Sequence, residues 1–148
     1  LKAVARLRIL TAKKHRSAAC FRLPKPAVLE EAMFVEQRLY TFVPGKSAEF
    51  HKLYEAEGRA TQEKYLGRPI GYYYSETGHL NQVMSLWAYP SLDERTARRE
   101  RLFKDPAWIS FLQKGRPLFV AQETRIFKPA SFFDARLAAI VALGSEAQ

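Results

Sequence analysis

Within a dozen residues the chain passes from a strand to a capped helix, and that junction restricts the fold more than any other feature of the sequence. Residues 81–89 alternate with period two, Val83, Ser85, Trp87 and Tyr89 on one side and Gln82, Met84, Leu86 and Ala88 on the other. Pro90 ends the pattern. Ser91 stands three residues before Glu94, the spacing at which a serine hydroxyl and a glutamate carboxylate satisfy the free amides of a helix start, so a highly charged helix is expected from Leu92. A strand that feeds a helix through so short a link implies a layered domain in which helices cover a sheet.

The remaining elements fall into a simple order. Residues 34–42 are aromatic and β-branched and stop at Pro44-Gly45, the mark of a strand and a turn. Residues 46–66 place Phe50, Leu53 and Tyr54 at helical spacing and end at Gly67-Arg68-Pro69. Residues 70–75 form a second strand, joined to the third through Thr77-Gly78-His79-Leu80 as a hairpin. Asp105-Pro106 supplies an N-cap with proline at the first helical position, so residues 106–114 read as a short helix carrying Trp108, Ile109, Phe111 and Leu112. Residues 118–128 alternate as a last strand. The order βαββααβ predicts an α+β, ferredoxin-like unit: a four-stranded antiparallel sheet with the first strand central, between the third and fourth, and one additional short helix. Helices then cover one face, and the other is expected to meet a second sheet, making a dimeric α/β barrel.

Composition narrows the function. With 148 residues, 47% of them hydrophobic, the chain suits one core. Cys20 is its single cysteine, which excludes an internal disulfide, and His15, His51 and His79 are too scattered for a metal cluster. The net charge of +9 is concentrated in residues 1–32, where eight basic residues meet only Glu30 and Glu31. The rest carries an ordinary solubilising charge, which argues against nucleic-acid binding. Residues 1–32 are expected to be a basic, disordered leader: sequence upstream of a native start at Met33, a transit peptide, or a basic binding arm. Residues 33–131 then form the domain, and residues 132–148 a tail or short helix. The apolar run at 135–143 is about half the length of a membrane span, so no transmembrane segment is expected.

Alternation also sorts the strands into faces. Glu36, Arg38 and Tyr40 share one side of the first strand, Glu123 and Arg125 one side of the last, and Ser85 and Trp87 one side of the third. Gln82, Met84, Leu86 and Ala88 look the better match for the underside of the helices, so the polar set is expected to point away from them. Glu36 and Arg38 would then lie beside Glu123 and Arg125, four charges on one sheet face. Two readings stay open. In one, the charges form a cross-strand lattice that sets dimer register. In the other, they floor an aromatic cavity walled by Tyr40, Tyr72, Tyr74 and Trp87, with Arg38 or Arg125 binding a carboxylate, enolate or phenolate. His79 in the hairpin turn and Tyr40 are the candidates for proton transfer. No nucleophile with an obvious base, phosphate loop or dinucleotide fingerprint is present.

Several motifs in order carry a family resemblance: Glu36-Gln37-Arg38-Leu39-Tyr40-Thr41, the Pro44-Gly45-Lys46 turn with Glu49-Phe50, the strand at 80–89 with its helix start at Ser91-Leu92, Asp105-Pro106-Ala107-Trp108, and the ending at Gln122-Glu123 and Arg125-Ile126. Over residues 34–131 the chain resembles the NIPSNAP family. The resemblance implies a ferredoxin-like unit of the dimeric α/β-barrel class, which strand order also gives. It implies no assigned reaction: animal relatives are linked to mitochondria and vesicle traffic, and bacterial members largely lack an activity. Many similar sequences have His-Leu-Trp where this chain has Ser85-Leu86-Trp87, which removes a natural base or ligand from the third strand. The expectation is a homodimer whose barrel cavity binds a small apolar, aromatic or anionic molecule, with no cofactor. One alternative is a cofactor-independent monooxygenase or isomerase for an aromatic or quinone-like substrate, using Tyr40 and His79. A second is a protein-interaction adaptor in trafficking. A cytoplasmic location is expected, or a mitochondrial one if residues 1–32 are a transit peptide.

Overall fold

The computed structural model describes residues 33–145, so the readings of the leader at 1–32 lie outside the described residues. Strand β1 (Phe34–Phe42) leads into helix α1 (Ser47–Leu53), a π turn (Tyr54–Gly58) and helix α2 (Arg59–Leu66). Strands β2 (Gly71–Tyr74) and β3 (Gln82–Tyr89) make the hairpin, followed by α3 (Leu92–Leu102), α4 (Pro106–Gly115), β4 (Phe119–Phe127) and α5 (Asp134–Ser145). The four strands form one antiparallel sheet in the order β2-β3-β1-β4, the ferredoxin-like topology with β1 central. Local chemistry sets the helix starts. Ser91 Oγ accepts from the Glu94 amide at 3.0 Å and Asp105 Oδ1 from the Ala107 amide at 2.8 Å. The capping box forms only in half, because the Glu94 carboxylate turns to Arg98 Nε at 2.6 Å.

The helical run over 46–66, expected as one α-helix, contains the π turn for a reason written in its spacing. Its buried residues are Phe50, Tyr54, Gly58, Gln62 and Leu66, a strict repeat of four. On an uninterrupted α-helix that repeat drifts about 160° over sixteen residues, and the wider π turn winds the stripe back toward the sheet. Gly58 permits the seat: a Cβ there would stand 2.9 Å from the Phe111 ring.

The faces of the sheet are the reverse of the expectation. Phe42, Val83, Trp87 and Tyr89 join Phe50, Tyr54, Leu66, Leu102, Trp108 and Phe111 in the core beneath the helices, and Glu36, Arg38 and Ser85 are buried with them. The large aromatic areas of Trp87, Tyr89 and Phe42 outweigh the smaller apolar set of Met84, Leu86 and Ala88. Register separates the four charges. Glu36 lies opposite Trp87 and Ile126, and Arg38 opposite Ser85 and Thr124, whereas Glu123 pairs with Leu39 and Arg125 with Gln37. Glu123 and Arg125 therefore occupy the other face, since an offset of one residue moves a side chain across the sheet. A bulge between Thr41 and Phe42 leaves Val120 as an extra residue and turns Phe119 to the helix side.

The open face carries Gln37, Leu39, Met84, Leu86, Glu123 and Arg125, none of them buried. Helix α5 buries Leu137 completely, and its Gly144 approaches Arg68 in the loop before β2. Among the described residues, no helix is long and apolar enough to cross a membrane.

Candidate functional site

The charged centre of the molecule is Glu36, fully buried on β1. Its carboxylate accepts from Arg38 Nη1 at 3.2 Å, Arg99 Nη1 at 3.4 Å, the Tyr89 hydroxyl at 3.3 Å, and Arg95 Nη2. Arg95 and Arg99 stand one turn apart on α3 and reach down to the sheet. Burial alone would raise the Glu36 pKa, yet the Arg95 hydrogen bond and the charges of Arg99 and Arg38 outweigh it and hold the carboxyl below its usual range. Burial, then the neighbouring Glu36 charge, pushes the Tyr89 phenol up to about 12. Burial, then the nearby Arg38 charge, pulls Arg99 below the usual guanidinium value. Three guanidiniums on one carboxylate leave positive charge that Glu36 does not neutralise.

That surplus borders a space. Arg38, Arg99 and Arg116 line a cavity of about 100 Å³ between the sheet and the helices, with Tyr40, Tyr72, Ser85, Gln62 and Gln122 as further polar groups. Phe50, Tyr54, Trp108, Phe111 and Phe119 are its apolar walls. Arg38 Nε donates to the Tyr40 hydroxyl at 2.6 Å while its guanidinium lies 5.3 Å from that ring's centroid. Ser85 Oγ accepts from Trp87 Nε1 at 3.0 Å, which leaves the serine proton free to be donated. Trp108 Nε1 is buried and has no hydrogen-bond partner among the described residues. Among the described residues, no histidine, cysteine, lysine or carboxylate lines this cavity, and burial pushes the Tyr54 and Tyr72 phenols well above their usual range. The described lining is rich in donors and holds no carboxylate or imidazole to act as a general base near neutral pH.

A larger groove of about 410 Å³ shares Tyr54 and Tyr72 with the cavity. Its other walls are His51, Glu55, Arg59, Glu63, Pro69 and Tyr74.

The structure divides the residues singled out from sequence. Arg38, Tyr40, Tyr72 and Ser85 line the cavity, and Tyr74 lines the groove. Glu36 and Trp87 sit behind the wall as buried supports. Glu123 and Arg125 pair with each other on the opposite face, and His79 is exposed in the hairpin turn and lines neither space. The residues that sequence reasoning missed are Arg95, Arg99, Arg116, Gln62, Tyr54 and Trp108. Helix α3 held a signal for two of them: Leu92, Ala97 and Leu102 are too few for an apolar stripe, so arginines had to complete its inner face. Among the described residues, no group of three or more side chains could hold a metal ion.

The NIPSNAP family model matches residues 35–133. A Dictyostelium discoideum NipSnap homologue is 31% identical over 94 residues, 64% of this chain and 41% of that protein. The chain spans less than half the length of the curated relatives it matches. A crystal structure of a NIPSNAP family protein with unknown function from Agrobacterium tumefaciens is 42% identical, covers 70% of this chain and 94% of its own, and superposes with a TM-score of 0.67. A dimeric ferredoxin-like protein from an uncultured marine organism, 13% identical and matched over 68% of this chain and 90% of its own, shares the fold with a TM-score of 0.56.

Proposed function

The chain belongs to the NIPSNAP family, and from that premise we propose that it binds a small organic anion in the cavity between its sheet and its helices. The observation that carries this reading is the surplus of guanidinium charge at a mostly buried wall, where an anion is the natural counter-charge. Tyr40, Tyr72, Ser85 and Trp108 add neutral donors, which suit a carboxylate's two oxygens. The space is smaller than the ~150 Å³ engineered cavity that admits benzene, so it fits an acidic head group better than a fused ring system. This site lies on the helix side of the sheet, not in a barrel formed by two open faces. The homodimer remains part of the reading: the open face of β1, β3 and β4 is the surface a second copy would cover, and light scattering on the full chain tests it.

The binding test compares short carboxylates with their neutral amides by thermal shift. A ligand held only by the folded state raises its stability, so acids are expected to raise the melting temperature and amides to leave it unchanged. Arg99→Gln is expected to abolish the response. Equal shifts from acid and amide would remove charge as the basis of recognition.

A further inference from the structure

The cavity and the larger groove meet at one pair of side chains. Tyr54 and Tyr72 line both spaces, their rings stacked with centroids 5.3 Å apart and planes 10° from parallel. The two spaces differ in chemistry. Arginines dominate the inner one, while His51, Pro69 and Tyr74 give the outer one an apolar wall, with Arg59 already paired to Glu63 at 2.9 Å. Each also holds a buried polar atom without a partner among the described residues, Trp108 Nε1 inside and His51 Nε2 outside. The shared wall is built on an irregular turn of the helical layer: Tyr54 is the first residue of the π turn and donates to Gln62 Oε1 at 2.8 Å. Such turns differ from α-helix by a single residue of register, so a shift there moves the Tyr54 ring without unfolding the helix.

We infer that the two spaces are subsites of one site for a monocarboxylic acid with an aryl or alkyl tail, the acid group held inside by the arginines and the tail lying outside against His51, Pro69 and Tyr74. This rests on the anion reading and extends it to a substrate class. The Tyr54–Tyr72 pair is the partition that parts when the ligand enters. Of the groove's two acids, Glu63 is paired with Arg59 and Glu55 is an exposed carboxylate that would repel a second acid group, which favours a neutral tail.

Calorimetric titration of the full chain with butyrate, 4-phenylbutyrate and 4-phenylbutanol tests this, in the wild type and in Tyr74→Ala. Tyr74 is 68% exposed, so its replacement spares the fold. The expected result is that 4-phenylbutyrate binds about tenfold or more tightly than butyrate, the order set by burying a phenyl group. Tyr74→Ala should lose most of that gain and leave butyrate unchanged. Equal affinities for the two acids, or a gain that survives Tyr74→Ala, would overturn the tail subsite and leave the anion site standing. The alcohol binding as tightly as 4-phenylbutyrate, or neither acid binding at all, would overturn the anion reading and this inference together.

Discussion

Neighbouring strands of this sheet carry the same three-residue pattern, Glu36-Gln37-Arg38 on β1 and Glu123-Thr124-Arg125 on β4. In each, the arginine bonds the glutamate two residues before it, Arg38 Nη1 at 3.2 Å and Arg125 Nε at 2.6 Å. On contact geometry alone the second pair is the better. Yet the Glu36 side chain is 0% exposed and recruits Arg95, Arg99 and Tyr89, while Glu123 and Arg125 are about half exposed and, among the described residues, pair only with each other. The face of the sheet, set by register, decides whether an ion pair is a structural centre or a surface ornament. Charges withdrawn from water must be compensated, and compensation draws further residues in.

The largest effect should come from breaking the buried set. Glu36→Gln leaves Arg38, Arg95 and Arg99 facing a neutral amide, and denaturant unfolding is expected to show a loss of about 3–5 kcal/mol. A loss as small as that of a surface pair would mean that water already reaches the cluster.

The same carboxylate predicts a pH dependence. Its folded-state pKa is held below the ordinary value of 4.5, so the stability it contributes is complete above that value and is lost as pH falls through the folded one. Glu94 and Asp105 add to the acid limb, lowered chiefly by hydrogen bonds from Arg98 and Tyr65. Subtracting the stability curve of Glu36→Gln from that of the wild type isolates the buried contribution. The difference should shrink steadily below about pH 4.5, the ordinary carboxylate value, and a constant difference would show that folding leaves the Glu36 pKa unchanged.

Packing gives a smaller contrast. Gly58→Ala pushes a methyl group to within 2.9 Å of the Phe111 ring and should cost about 1–3 kcal/mol. If it costs nothing, the helix layer yields more readily than its core contacts suggest. Ala121→Val is at an exposed position of the open face and should stay within about 0.5 kcal/mol.

These contrasts also mark what could be read from sequence. Element order and the central place of β1 followed from periodicity, Pro44-Gly45, Ser91 and Asp105-Pro106, all local signals. The two Glu-x-Arg patterns could not be assigned to faces in the same way, because strand register depends on partners distant in sequence and a slip of one residue exchanges the faces. Arg38, Tyr40, Tyr72 and Ser85 were picked out by alternation and do meet at one cavity. Arg99, Arg116, Tyr54 and Trp108 come from helices and a turn whose docking no single segment specifies. The π turn was legible in principle, since buried positions at a strict spacing of four do not fit an α-helix.

The smallest effect is the most informative about assembly. A double-mutant cycle on Glu123 and Arg125 should return a coupling of about 0.2–1 kcal/mol if the pair stays in water, and it should weaken with salt. If a second copy covers the open face, the pair loses that water. Its coupling should then rise above the surface range, resist salt and appear only at protein concentrations where the dimer forms. Measuring the cycle at two concentrations therefore separates an exposed pair from an interfacial one. An interfacial result would make the two Glu-x-Arg patterns alike after all, one buried by the chain's own helices and the other by its partner.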